Sequence, residues 1–124
     1  RLRTKTMKPG DIVTVDFPGI TGIKRRPVVV VSTPLYHRYR PDVIVAVITS
    51  QTSAGNTPLD YELQDWQQAG LRRPSAFRAF LATLPERSAI PVGRCSDRDW
   101  EEIQARLSHA IAVSGPLRLI RETE

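Results

Sequence analysis

Lys24-Arg25-Arg26-Pro27-Val28-Val29-Val30-Val31 sets three cations at the mouth of an unbroken apolar run. Four consecutive valines with no polar alternation read as a central strand that is apolar on both faces. A second run, Val43-Ile44-Val45-Ala46-Val47-Ile48, ends in Thr49-Ser50-Gln51. Paired antiparallel about a turn near Arg38, the two runs set residues whose numbers sum to about 76 opposite each other. Val28 then faces Ile48, and Arg26 faces Ser50. A slip of a residue or two keeps the cations and the hydroxyls at one end of the sheet. Such an edge is suited to binding an anion such as phosphate.

The rest of the chain bounds what can be built around that edge. Its 124 residues make one domain of ordinary size, with the 40% hydrophobic and 25% charged content of a folded chain. No apolar stretch approaches the roughly 20 residues that span a bilayer, and the basic start has no apolar signal core. A lone cysteine, Cys95, excludes an internal disulfide, and with two histidines it makes a zinc site improbable. These features point to a cytoplasmic protein with no metal and no cofactor.

The formal charge of +5 favours polyanionic partners. Residues 1–26 carry seven cations against Asp11 and Asp16, so this segment alone holds a net +5 and the remainder is balanced. Met7-Lys8-Pro9-Gly10-Asp11 reads as a natural start, leaving residues 1–6 as a basic extension and 7–124 as a single domain.

Alternation and turn residues predict five strands. Ile12 to Phe17 is the first, ending at Pro18-Gly19, and Gly19 to Lys24 reads as a mobile flap. Val28 to Ser32 and Val43 to Thr49 follow, joined by a loop bounded by Pro34 and Pro41. Leu59 to Leu63 and Ser75 to Leu84 are the fourth and fifth, the last with a bulge where Arg78 breaks the apolar pattern. Asp65 caps a helical turn that Gly70 stops. The one long helix is C-terminal. Ser96 and Asp99 resemble a capping box, Trp100, Ile103, Leu107, Ala110 and Ile111 form its apolar stripe, and Ser114-Gly115-Pro116 stops it. Leu117 to Ile120 reads as a short edge strand. The fold class is mainly β with helical additions (α+β), a small, strongly bent sheet or barrel.

Several blocks together resemble the MazF/PemK toxins. They are Gly10-Asp11-Ile12-Val13 with Asp16, Arg26-Pro27 before the valines and Ser32, Ile48-Thr49-Ser50-Gln51, Gly70-Leu71 with Pro74-Ser75, and the helix led by Ser96 and Asp99. The resemblance spans Met7 to Ala112. It implies an SH3-like, PemK/CcdB-type barrel with a C-terminal α-helix, usually a homodimer. The implied activity is a metal-independent endoribonuclease that cuts single-stranded RNA at short motifs and is restrained by a cognate antitoxin, acidic and partly disordered. The family's catalytic arginine, the one before proline, falls on Arg26, and its catalytic threonine on Thr49.

The residue chemistry agrees with this assignment. RNA carries its own nucleophile, the 2′-hydroxyl, so a protein need only stabilise the pentacovalent oxyanion and assist proton transfer. Arg26 offers a planar, permanently charged fork that matches phosphate. Thr49 can donate to a non-bridging oxygen. Ser50, Gln51 and Ser75, with Lys24 and Arg25 from the flap, are the expected RNA-binding residues. Taken alone, Arg26 reads as a strand-end salt bridge and Thr49 as an ordinary strand residue. Asp16 reads as structural, and Gly19 to Arg25 supplies neither glutamate nor histidine as a base. The run Phe80-Leu81-Ala82-Thr83-Leu84 departs from relatives that carry a basic residue there. In Tyr36-His37-Arg38-Tyr39-Arg40 aromatics interleave with cations, a pattern that fits either stacking of unpaired bases or a solvated loop, and His37 there lies far from Arg26. The alternatives are a CcdB-like gyrase inhibitor and a catalytically weak RNA-binding relative.

Overall fold

The computed structural model describes residues 7–19, 22–52 and 57–113. Six strands form one antiparallel sheet: β1 (Asp11–Gly19), β2 (Gly22–Val30), β3 (Asp42–Thr49), β4 (Tyr61–Glu62), β5 (Ala76–Pro85) and β6 (Ile90–Arg94). Their spatial order is β4-β5-β3-β2-β1-β6. Helix α1 (Pro34–Tyr39) joins β2 to β3, and α2 (Asp97–Ala110) follows β6.

The unbroken valine run has a direct cause in this arrangement. Ile12, Val29, Ala46, Ile48, Phe77 and Ile103 pack on one face, under α2 and the segment after β4. Val13, Val15, Val28, Val30, Val43 and Val45 pack on the other. Among the described residues no helix covers that second face; the sheet covers it by curling. Phe17 on β1 and Phe80 on β5 meet edge to face with centroids 5.9 Å apart. Three strand spacings in a flat sheet would separate β1 from β5 by about 14 Å, so the sheet bends into a half-barrel around the valines, as the barrel expectation requires.

The β2–β3 register is one residue tighter than the sum of about 76 implied. Val28 lies opposite Val47, Val29 opposite Ala46 and Val30 opposite Val45. The connection is a short helix rather than a symmetric loop. Thr33 caps α1 by accepting from the Tyr36 N–H at 3.3 Å, and Pro34 occupies its first turn, where a missing N–H costs nothing. Six residues are too few to reveal helical periodicity. Gly22 to Lys24 likewise belongs to β2 and not to a loop, because β1 and β2 pair as far as Gly19 with Gly22.

The bulge in β5 sits where Arg78 implied it. Ala46 pairs with Leu81 while Ile48 pairs with Phe77, leaving Arg78, Ala79 and Phe80 across from Val47. Leu59 to Leu63 contributes only the two-residue β4 to the sheet. β6 was not foreseen, since Pro91 and Gly93 argue against a strand; both are tolerated on an edge. The edge strand expected over Leu117–Ile120 and the helix stop at Ser114-Gly115-Pro116 lie outside the described residues.

Helix α2 departs from its predicted cap in one respect. Ser96 Oγ accepts from the Asp99 N–H at 3.3 Å, but the Asp99 carboxylate does not turn back to complete the box. It is fully buried and accepts from Tyr61 Oη at 2.6 Å, the Gln64 N–H at 3.0 Å and the Asp65 N–H at 2.8 Å. A buried charge is tolerable only with such partners. These bonds fasten the segment after β4 onto the helix. The apolar stripe is narrower than expected: Trp100, Ile103 and Leu107 meet the core, whereas Ala110 and Ile111 are exposed.

Candidate active site: a basic groove at one end of the curled sheet

Pro27 has no N–H to give to a ladder, and the pairing of β2 with β3 stops at Val28 with Val47. Past that point the two strand ends are no longer bonded to each other. Continuing the same register brings Arg26 level with Thr49. A groove of about 790 Å³ opens here.

All seven residues singled out from the sequence line this one groove: Arg26, Thr49, Lys24, Arg25, Ser50, Gln51 and Ser75. Their states differ. Arg26 is half-buried and has no hydrogen-bond or ion-pair partner among the described residues, so its fork is available. It does not form the strand-end salt bridge that residue type alone suggests. Thr49 Oγ1 accepts from the Gln51 N–H at 3.1 Å, which leaves its own proton free to donate. Lys24 and Gln51 are exposed, as is Ser50.

Arg25 and Ser75 are committed to the protein. Arg25 Nη1 binds Asp16 at 2.9 Å, while Nη2 donates to the carbonyls of Thr14 and Ser88, each at 3.0 Å. It ties the β1–β2 hairpin to the turn before β6, and it gives Asp16 an ion-pair partner within the hairpin. Ser75 is buried and its hydroxyl donates to the Arg73 carbonyl at 2.8 Å. That bond shapes the loop entering β5.

The groove includes residues that sequence reasoning passed over, chiefly Arg72 and Arg73 with Thr14 and Val92. The Gly70-Leu71 and Pro74-Ser75 blocks flank the arginine pair and offered the only local hint. Gly70 sits at φ +90°, and a Cβ there would come within 2.8 Å of the Val92 carbonyl. A Cβ on Gly93 would approach the Ala69 carbonyl to 2.2 Å. Loop and edge strand therefore touch backbone to backbone, and this fixes the floor of the groove.

Among the described residues the lining contains cations, hydroxyls and an amide, and no carboxylate or imidazole. His37 lies elsewhere, half-buried rather than solvated: Nε2 is 2.6 Å from Ser32 Oγ, and Nδ1 is 3.1 Å from the Met7 carbonyl. Cys95 is buried, and burial foremost, with the Asp99 charge, pushes its thiol up to about 12, so it is inert as a nucleophile. Burial and then the Asp99 hydrogen bond raise Tyr61. Arg98, followed by Ser96, holds the Asp65 carboxyl down at about 2. These shifted groups belong to the brace behind the groove. No cluster of three or more histidine, cysteine or carboxylate side chains among the described residues is placed to hold a metal ion. No helix among them is long and apolar enough to cross a membrane.

Solved structures with this fold are numerous. An endoribonuclease of a mycobacterial species, in complex with its cognate antitoxin, aligns at a TM-score of 0.70 and 19% identity, over 90% of this chain and 100% of that one. MazF from a MazE–MazF complex of Deinococcus radiodurans aligns at 0.66 and 20%, over 90% and 100%. Mycobacterium tuberculosis toxin MazF-mt6 aligns at 0.61 and 18%, over 83% and 95%. At such identities the likeness is one of fold. No curated protein matches the sequence. The family model for PemK-like, MazF-like toxins of type II toxin–antitoxin systems matches residues 8–111, which takes in every strand, both helices and the whole lining of the groove. The chain belongs to that toxin family.

Proposed function

We propose that this protein is an endoribonuclease toxin that cleaves single-stranded RNA by attack of the 2′-hydroxyl on the adjacent phosphate. The products are a 2′,3′-cyclic phosphate and a 5′-hydroxyl end. The observation that carries this reading is the pairing in one groove of a partnerless Arg26 with a Thr49 hydroxyl whose proton is free. Arg26 grips the non-bridging oxygens as a fork, and Thr49 donates to the charge that builds on them in the transition state. Lys24 adds a positive field that draws the RNA backbone in, and Ser50 and Gln51 meet sugar or base edges.

The mechanism uses no metal and no cofactor. With no carboxylate or imidazole among the described lining residues, the 2′-hydroxyl, made more acidic by the surrounding cations, gives its proton to solvent, and the departing 5′-oxygen takes one from solvent as its bond to phosphorus breaks. A cognate antitoxin with an acidic, partly disordered segment occupies the same basic groove and shuts out RNA. This extends to the present chain what the mycobacterial and Deinococcus complexes are named for. The working form is a cytoplasmic homodimer.

The test is end-mapping of products from a long RNA in the presence of a chelator. Expected are cuts at a short recurring sequence with cyclic phosphate ends, and an identical DNA left intact. Arg26→Ala should abolish them; full cleavage by that variant would remove Arg26 from the mechanism. Inhibition of DNA gyrase without RNA cuts would favour the CcdB-like alternative instead.

A further inference from the structure

Six described arginines are tied to a carboxylate: Arg25, Arg40, Arg78, Arg94, Arg98 and Arg106. Arg72 and Arg73 are not. Both are exposed, both line the groove, and neither side chain has a hydrogen-bond or ion-pair partner among the described residues. Two adjacent guanidinium groups repel each other and gain nothing from the fold, so a pair held in place without a carboxylate points to an anion from outside.

The loop that carries them is held firmly. The Leu71 N–H donates to the Trp66 carbonyl at 3.1 Å, and the Arg73 carbonyl accepts from Ser75 Oγ at 2.8 Å. Gly70 is seated against Val92 where no side chain fits. A cation on such a base loses little freedom on binding.

Topology fixes where the pair stands relative to Arg26. The order β5-β3-β2 places β3 in the middle, and Thr49 pairs with Ala76 at the start of β5. Thr49 is therefore flanked by the Arg26 strand on one side. On the other side is the segment that runs from Arg72 and Arg73 into β5. A polyanion crossing this end of the sheet meets Arg26, then Thr49, then the arginine pair.

We infer that Arg72 and Arg73 form a second phosphate-binding subsite, which holds a phosphate of the RNA strand next to the one being cut. This rests on the nuclease reading above. The pair is a positioning device: it fixes strand register and direction over Thr49, contacts no reacting atom, and acts on any sequence because it reads phosphate alone.

The test separates this subsite from the nuclease reading itself. An RNA oligonucleotide with 2′-O-methyl groups, which cannot be cut, is titrated by fluorescence anisotropy over a salt series with the wild type, Arg72→Ala/Arg73→Ala and Arg72→Lys/Arg73→Lys. The alanine pair should weaken binding and lower the slope of log affinity against log salt by ~0.7, the value for one lost phosphate contact. The lysine pair should retain the slope. On cleavable substrates, the alanine pair should raise KM for an oligonucleotide while leaving cleavage of a dinucleoside monophosphate, which has only the scissile phosphate, unchanged. Wild-type cleavage with an unaltered slope in the alanine pair would overturn the subsite and leave the nuclease standing. Wild type that neither binds nor cuts RNA would overturn both. Loss of polyglutamate binding with RNA binding intact would assign the pair to an acidic protein segment and overturn it as an RNA site.

Discussion

Arg78, in the bulge of β5, donates from Nη2 to the main-chain carbonyl of Gln51 at 2.7 Å, while its Nη1 binds Asp60 at 2.9 Å. The segment that leaves β3 at the groove and the segment that enters β4 are thereby fastened to one side chain. The ion pair is well shielded, with Arg78 at 22% and Asp60 at 11% side-chain exposure. Arg78→Ala should cost about 1–3 kcal/mol in stability, seen as a lower urea midpoint. It should also lower kcat, since the turn carrying Ser50 and Gln51 loses its anchor. A variant with wild-type kcat would show that the turn holds its shape without Arg78.

The Thr49 hydroxyl has two tasks, accepting from the Gln51 N–H and donating outward. Thr49→Val keeps the shape and loses both. RNA cleavage should fall on the order of a hundredfold in kcat. Thr49→Ser keeps the oxygen and should stay within about tenfold of wild type. Equal losses in the two variants would mean that packing at the strand end, and not the hydroxyl, matters.

The cation-rich groove makes a statement about pH. With no carboxylate or imidazole among the described lining residues, none of these side chains is of a type that serves as a general base near neutrality. The rate of RNA cleavage should climb about tenfold per pH unit through the neutral range without levelling off. Single-turnover rates over that range test this. A plateau setting in at mildly acidic pH would reveal a carboxylate or histidine base acting from outside the described lining.

Acid sensitivity should centre on Asp65. Arg98 binds its two oxygens at 2.8 Å each, and Ser96 Oγ donates at 2.6 Å. The folded carboxyl is held at about 2 against an unfolded value of about 3.9. A depressed carboxylate contributes stability above its unfolded value and loses it as pH falls through the folded one. The wild type should therefore lose this contribution between about pH 4 and 2. Asp65→Asn should be less stable at neutral pH and flatter over that window. Parallel urea midpoints of the two proteins against pH would contradict this.

Local signals in the chain accounted for much of the fold. The valine runs are legible as central strands because burial on both faces demands apolar residues at consecutive positions. Arg78 marks its own bulge, since a charge in an apolar strand must leave the ladder to find water or a partner. Helix α2 is legible from the spacing of Trp100, Ile103 and Leu107. Short or edge elements were not: α1 has no room for a period, and β6 is exposed and carries Pro91 and Gly93, so neither bears a burial pattern.

By itself, then, the sequence determined the core strands, the terminal helix and the end of the sheet where cations and hydroxyls meet, because each follows from nearest neighbours or a short period. The tertiary structure decided which cations are free. Arg25 and Arg26 are adjacent and chemically identical, yet Asp16, Thr14 and Ser88 occupy one and no described residue occupies the other. It also brought Arg72 and Arg73 to the groove from a loop more than forty residues beyond Arg26. Those outcomes depend on the curl of the sheet and on the backbone contact of Gly70 with Val92, both long-range contacts that no local pattern encodes.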